Sequence, residues 1–181
     1  MTNTVRLRKA MRARQLVRFS RRYDKSNIHG YVLTVGPDFF LLLLVDDTIR
    51  FNGFECFHIN SISALQTDPY SSFVESALKK RKLKRPKIPR INVQSIEKLL
   101  ESTSKVFPLV TIHTERTDPD ICFIGRITGT DKTHVVLLEI RPGATWETQP
   151  TRFKLRSITR VSFGGGYEDA LFIVAGEPKT G

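Results

Sequence analysis

The chain contains an internal repeat of about 90 residues, and this duplication constrains its fold more than any other feature. Both halves contain five matching segments in the same order. In the first half these are LVRF, IHGYVLTVG, FFLLLLVDD, FECFHINSISAL and ESAL, and in the second half LVTI, FIGRITG, HVVLLEI, RFKLRSITRV and EDAL. The interval from Gly30 to Leu78 is 48 residues, and the interval from Gly125 to Leu171 is 46 residues. This pattern predicts two copies of one structural unit.

Each half is predicted to form a short helix followed by about five short strands. Apolar residues recur at helical spacing in VRLRKAMRARQ and in NVQSIEKLLESTSKVF, with Asn92 as the predicted cap of the second helix and Pro108 as its end. The segments after each helix are rich in Val, Ile, Phe and Leu and are separated by Gly- or Pro-containing turns. Gly30 and Gly125 occupy matching positions in the second strand, where glycine permits a bend or bulge.

The segments FHINSISAL and FKLRSITRV each predict a strand that ends at an inward aliphatic residue, Ile59 or Leu155, then one turn of 3₁₀ helix and a last strand. The order of elements resembles the SH3-like and Sm-like small β-barrels, and the leading helix resembles the Sm-like variety. The resemblance covers most of the chain and implies a mainly β fold of two tandem five-stranded antiparallel small barrels, each preceded by a short helix. Another kind of antiparallel barrel would meet most of the same pattern. The predicted units are residues 1–78 and 92–176, joined by a basic linker at 79–91.

The Sm-like resemblance also implies where RNA would bind. Sm-like proteins hold single-stranded RNA with an Asp and an Asn near the loop between the second and third strands, and with an Arg-Gly pair after the fourth strand. The corresponding loops here contain Asp38 and Asp131, without an Asn at the interval of the family. After the fourth strand, Asn60 matches neither residue of the pair, whereas Arg156 matches the Arg. The resemblance therefore implies an RNA contact for Arg156 alone, which is otherwise a solvated turn residue.

The net charge of +11 is unevenly distributed along the chain. Residues 1–27 have a balance of +8, residues 28–78 a balance of −5 and residues 79–90 a balance of +8, while the remainder is neutral. The last of these segments, KKRKLKRPKIPR, has eight basic residues and no acidic one, and its two prolines favour an extended chain. Clustered Lys and Arg suit a polyanion because they release counterions from a phosphate chain. The run is equally compatible with a nuclear-import signal or a solvated linker.

The sequence contains no pattern typical of an enzyme. None of the four histidines has a second His or Cys at metal-binding spacing, and neither Cys56 nor Cys122 has a fixed His partner. Phosphate-binding P-loops and nucleophile elbows are absent from the sequence. We therefore expect no catalytic residues, no metal and no cofactor.

The sequence also favours a cytoplasmic protein without a membrane partner. The longest apolar run, Phe39 to Val45, has seven residues, whereas a membrane-spanning helix needs about 20. The N-terminal segment lacks the unbroken apolar stretch of a secretory signal.

Two functions of different classes are compatible with these features. The first is non-catalytic binding of nucleic acid, RNA more than DNA, in which the basic arm and linker grip phosphate. The second is a protein-interaction module that uses edge strands or grooves of the barrels, and the negative balance of residues 28–78 favours it. The edge strands would either form a homo-oligomer or pair with each other within one chain. The residues predicted to contact nucleic acid are Arg8, Arg12, Arg14, Lys80, Lys82, Lys84, Arg85 and Arg156.

Overall fold

The computed structural model describes residues 1–24 and 26–179 and shows a mainly β protein with four helices. The helices are α1 (Asn3–Ala13), α2 (Ser71–Lys80), α3 (Ile96–Ser104) and α4 (Gly166–Ala175). The strands are β1 (Leu16–Arg21), β2 (Ile28–Val35), β3 (Phe39–Val45), β4 (Phe51–His58), β5 (Ile62–Thr67), β6 (Val110–His113), β7 (Cys122–Thr130), β8 (His134–Glu139), β9 (Thr151–Lys154) and β10 (Arg160–Phe163).

The ten strands form one antiparallel sheet in the order β5-β1-β2-β3-β4-β10-β6-β7-β8-β9, and this sheet is not closed. The prediction of two tandem barrels is therefore not confirmed. The reason lies at the centre of the sheet, where β4 of the first half pairs with β10 of the second half, for example Cys56 with Val161. Each half thus uses a strand edge of the other half, which is the intramolecular alternative left open by the sequence.

The internal repeat is visible in the strand order and in the register of the sheet. Each half contributes five strands in the same relative order, and Gly30 pairs with Leu44 as Gly125 pairs with Glu139. A Cβ atom at Gly30 would lie 2.4 Å from a carbonyl oxygen of β3, and one at Gly125 would lie 2.2 Å from a carbonyl oxygen of β8. Only glycine permits this approach of the neighbouring strand. The predicted 3₁₀ turns are also present, at Ile59–Ser61 and Leu155–Ser157.

The predicted helix before each set of strands is present as α1 and α3. The second of these begins later than predicted, because Ser95 rather than Asn92 caps α3 by accepting a hydrogen bond from the Lys98 backbone N–H. The matching segments ESAL and EDAL lie in α2 and α4, so a helix also follows the fifth strand of each half.

Buried side chains lie on both faces of the first half of the sheet. Val17, Phe40 and Leu42 pack with Leu7 of α1 on one face. Alternate residues of the same strands point to the other face and form a second cluster with α2, α3 and the second half of the sheet. The strand β3 is therefore apolar along its length because both of its faces are covered.

A buried ion pair joins the two halves of the sheet. Arg21, at the end of β1, has a fully buried side chain and donates to both carboxylate oxygens of Glu115, at 2.7 and 3.0 Å. Its Nε also donates to Asp24 at 2.6 Å. Burial alone would lower the pKa of Arg21, but the hydrogen bonds to Glu115 and Asp24 outweigh it and raise that pKa. Arg21 is thus a charged link between β1 and the segment after β6.

A second ion pair lies across the β4–β10 pairing itself. Arg160 of β10 contacts Glu55 of β4, and the Ser162 hydroxyl donates to the same carboxylate at 3.2 Å. A pair of this kind favours one register of the two strands, because a slip of one residue would place Arg160 and Glu55 on opposite faces of the sheet.

The histidine next to these charges should make stability depend on pH. Burial, followed by the nearby Arg160, lowers the pKa of His113 to about 3, against about 6.5 in an unfolded chain. Protons then bind the unfolded state more readily, so the stabilising contribution is complete above pH ~6.5 and is lost as the pH falls toward ~3. We expect His113→Gln to flatten the fall in the free energy of unfolding between pH ~6.5 and ~5.5, where carboxylates contribute little. Urea titrations at several pH values would measure this, with His134→Gln as the control. An unchanged slope in His113→Gln would contradict the prediction.

Candidate nucleic-acid interface

The C-terminus of α2 directs the basic segment across the sheet. The backbone N–H of Leu83 donates to the Leu78 carbonyl at 3.0 Å, and that of Lys82 donates to the Lys79 carbonyl at 2.9 Å. Lys82 has a φ of +56°, the left-handed conformation with which many helices end. These features form a Schellman motif, in which Leu83 and Leu78 both pack into the core. The helix α2 therefore ends in a motif in which Leu78 and Leu83, on either side of the helix end, pack against the core.

The basic segment is anchored to the protein at both ends. Leu83 packs against the main core, and Ile91 and Val93 are buried in it. Arg81 donates from Nη1 to the carbonyl oxygens of Thr48 and Ile49, at 2.6 and 3.1 Å. Residues 84–90 between these anchors have no helix or strand and include two prolines, which favour an extended path. The basic segment is thus a strap on the sheet, extended over residues 84–90, and not a free tether.

The cations of this strap face solvent. All eight Lys and Arg residues between positions 79 and 90 are exposed, and none forms an ion pair within the described residues. The segment has no acidic residue. The predicted contacts Lys80, Lys82, Lys84 and Arg85 therefore lie together, exposed, on one anchored segment.

The predicted contacts on α1 lie elsewhere. Arg8, Arg12 and Arg14 are exposed on α1 or at its end, and α1 packs on the face of the sheet that carries Val32. The strap packs on the other face, which carries Tyr31. Successive residues of β2 point to opposite faces, so the two basic elements lie on opposite faces of the sheet.

Arg156 lies in a third place, at the 3₁₀ turn after β9. It lines an open cleft of about 330 Å³. The other residues of this cleft include Lys132, His134 and Lys154, from the β7–β8 turn and the end of β9. The cleft is thus a small basic site in the second half, separate from the strap.

One further residue at the strap was not predicted from the sequence. The guanidinium carbon of Arg85 lies 3.8 Å from the centre of the Tyr31 ring. Tyr31, which is 2% exposed, is the residue that was not predicted. Nothing in the sequence around it indicates a contact with a segment about 50 residues away. Lys132 and Lys154 were also missed; their positions beside the two turns of the second half are the only sequence signal for them.

The described residues contain no group of three or more His, Cys, Asp or Glu side chains that could hold a metal ion. Among the same residues, no helix is both long enough and apolar enough to cross a membrane.

The chain matches no family model, no curated protein and no solved structure. The Sm-like resemblance thus has no support from a homologue, and any function has to be inferred from the geometry itself.

Proposed function

We propose that the protein is a non-catalytic nucleic-acid-binding protein, with RNA favoured over DNA, and that the strap formed by residues 79–90 is its main phosphate contact. One observation carries the proposal: eight exposed cations without an ion-pair partner among the described residues lie on a segment that is anchored at both ends. Anchoring lowers the entropic cost of ordering these side chains on a ligand, because the backbone is already placed.

RNA is favoured over DNA because residues 84–90 of the strap are extended. Major-groove readers of duplex DNA use a helix or a β-ribbon, whereas sequence-tolerant binders of single strands combine a cationic track with stacking side chains. Arg156 and its cleft are proposed as a second contact in the other half. Arg8, Arg12 and Arg14 are proposed to act through the general positive potential, since α1 packs on the opposite face of the sheet.

Direct binding to RNA tests the proposal. The purified, nuclease-treated protein is titrated with a labelled mixed-sequence single-stranded RNA at salt concentrations from roughly 50 to 200 mM. We expect log affinity to fall linearly with log salt concentration. The slope of this line should be about −0.7 for each phosphate contacted. Absence of binding at the lowest salt concentration would refute the proposal.

The second candidate is a protein-interaction module that pairs through the ends of the sheet. The internal junction joins a fourth strand to a fifth strand, and β9 and β5 are the fourth and fifth strands that remain at the two ends. A second copy could therefore repeat the same pairing head to tail. However, α1 covers the β5 end, because Asn3 donates to the Ile62 carbonyl oxygen at 3.3 Å and Arg6 donates to the Leu65 carbonyl oxygen.

Removing these two side chains should expose a strand edge. We expect the Asn3→Ala/Arg6→Ala variant to self-associate in a concentration-dependent manner, because the free carbonyl groups of β5 become available to β9 of another copy. Sedimentation velocity over a range of concentrations would measure this. Arg8→Ala/Arg12→Ala is the matched control on the exposed face of α1. A variant that sediments as the unmodified chain does at every concentration would show that α1 does not limit association.

A further inference from the structure

The guanidinium group of Arg85 lies over the face of an aromatic ring. At 3.8 Å from the ring centre, its guanidinium carbon must lie over the face of Tyr31, because the ring atoms exclude such a close approach from the edge. Tyr31 is almost completely buried, whereas Arg85 is exposed. The guanidinium group therefore contacts tyrosine on one side, and its other side is on the surface of the protein.

The ring beneath Arg85 is firmly positioned. Tyr31 is paired on both sides in the sheet, with Leu16 of β1 and Leu43 of β3. Its hydroxyl donates to Glu75 of α2 at 3.4 Å. Burial raises the pKa of Tyr31, and the nearby Arg85 only partly offsets this, so the hydroxyl stays protonated at neutral pH. The guanidinium group of Arg85 thus rests on a firmly held ring.

The residues around Arg85 favour a nucleotide as the ligand of its guanidinium group. Lys84 and Lys87 are exposed on the same strap, and Arg85 itself forms no ion pair within the described residues. A guanidinium plane stacks well on an unpaired base, and flanking ammonium groups suit the phosphates on either side of it. In a duplex the base faces are hidden by their neighbours, so only a single strand can use such a plane.

We propose that Arg85, supported by Tyr31, is a stacking site for one unpaired nucleobase, and that it makes the strap selective for single strands over duplexes. This inference rests on the proposed function, since it names the form of nucleic acid that the strap binds. Lys84 and Lys87 bind the phosphates of the nucleic acid, and the stacked base adds a contribution to the binding free energy that does not depend on salt.

The test separates the plane of Arg85 from its charge. Arg85→Lys keeps the charge and removes the planar group, and Arg116→Lys is the matched control at an exposed arginine outside the strap and outside the cleft of Arg156. The ligands are a single-stranded RNA, the RNA duplex of the same sequence, and inorganic polyphosphate, which has phosphates but no bases. We expect Arg85→Lys to weaken single-strand binding about 5- to 10-fold, while duplex and polyphosphate binding change less than twofold. Arg116→Lys should change none of the three.

The outcomes are distinguishable. Equal weakening for all three ligands, or no weakening for the single strand, would overturn the stacking site and leave the proposed function intact. Failure of the unmodified protein to bind any of the ligands would overturn both. Thermal unfolding of each variant shows whether the fold is kept. A 2-aminopurine base within an oligouridine gives a second readout, because its fluorescence should respond to the unmodified protein and much less to Arg85→Lys.

Discussion

Replacing Arg21 with alanine should lower the free energy of unfolding by about 3–5 kcal/mol. The side chain of Arg21 is fully buried, and its removal leaves the buried Glu115 and the partly buried Asp24 without their main cation. The cost of an uncompensated buried carboxylate is much larger than the value of an exposed pair. In a chain of this size we expect the Tm to fall by about 10 °C. Urea and thermal unfolding followed by circular dichroism would measure both effects.

The neighbouring Arg22 is the matched control. It is exposed, and its guanidinium donates to the Asn60 backbone carbonyl oxygen. We expect Arg22→Ala to change stability by less than about 1 kcal/mol. A double-mutant cycle with Arg21→Met and Glu115→Gln should give a favourable coupling energy, because the two side chains are in direct contact. Equal effects of Arg21→Ala and Arg22→Ala would mean that the ion pair does not stabilise the junction of the two halves.

Charge reversal in the strap should abolish most RNA binding. In the variant Lys80→Glu/Lys82→Glu/Lys84→Glu/Arg85→Glu, four exposed cations of the strap become anions. If each of them contacts a phosphate, we expect the slope of log affinity against log salt to become shallower by about 3, and the affinity near 100 mM salt to fall by about 10³-fold or more. Fluorescence anisotropy with a labelled single-stranded RNA across a salt series would measure both quantities.

The matched control reverses four charges on the opposite face of the sheet. The variant Arg8→Glu/Lys9→Glu/Arg12→Glu/Arg14→Glu has the same net charge as the strap variant, but α1 packs on the other face. We expect a much smaller loss of affinity and a nearly unchanged slope, since only the long-range potential is altered. Equal losses in the two variants would show that net charge, and not the strap, controls binding. A protein-interaction module would keep its partner in both variants.

Much of the local structure could be predicted from particular residues. The repeat located both leading helices and both 3₁₀ turns, and the matching glycines marked the places where neighbouring strands approach closely. Gly30 and Gly125 are informative because a Cβ atom at either position would collide with a backbone carbonyl of the next strand. Such constraints act over a few residues and are therefore visible in the sequence.

The pairing of the two halves has a signal in the sequence, the different polarity of the two fourth strands, that can be interpreted only with the structure. In β4, Phe54, Cys56 and Phe57 are buried, whereas Thr151, Arg152 and Lys154 of the matching β9 are exposed. The fourth strand is therefore apolar where it is internal to the sheet and polar where it ends the sheet, as expected for an edge strand. The two copies differ at matching positions because their neighbours differ.

The basic strap also has some properties that the sequence predicts and others that only the fold explains. Its exposed charge and extended path follow from the composition and the prolines of residues 79–90. Its anchoring by Leu83 and Ile91, and the contact of Arg85 with Tyr31, do not, because each depends on which surface the strap crosses. The site proposed for a base exists only because the fold brings residues about 50 positions apart into contact.

The duplication, the mainly β character, the leading helices and the location of the excess charge could all be predicted from the amino-acid sequence. These properties depend on local periodicity, turn residues and composition. The tertiary structure alone decided that ten strands form one open sheet, that Arg21 and Glu115 join its halves, and that the two basic elements lie on opposite faces. The physical reason is that unpaired strand edges and apolar faces can be satisfied by many partners, and only the folded chain selects among them.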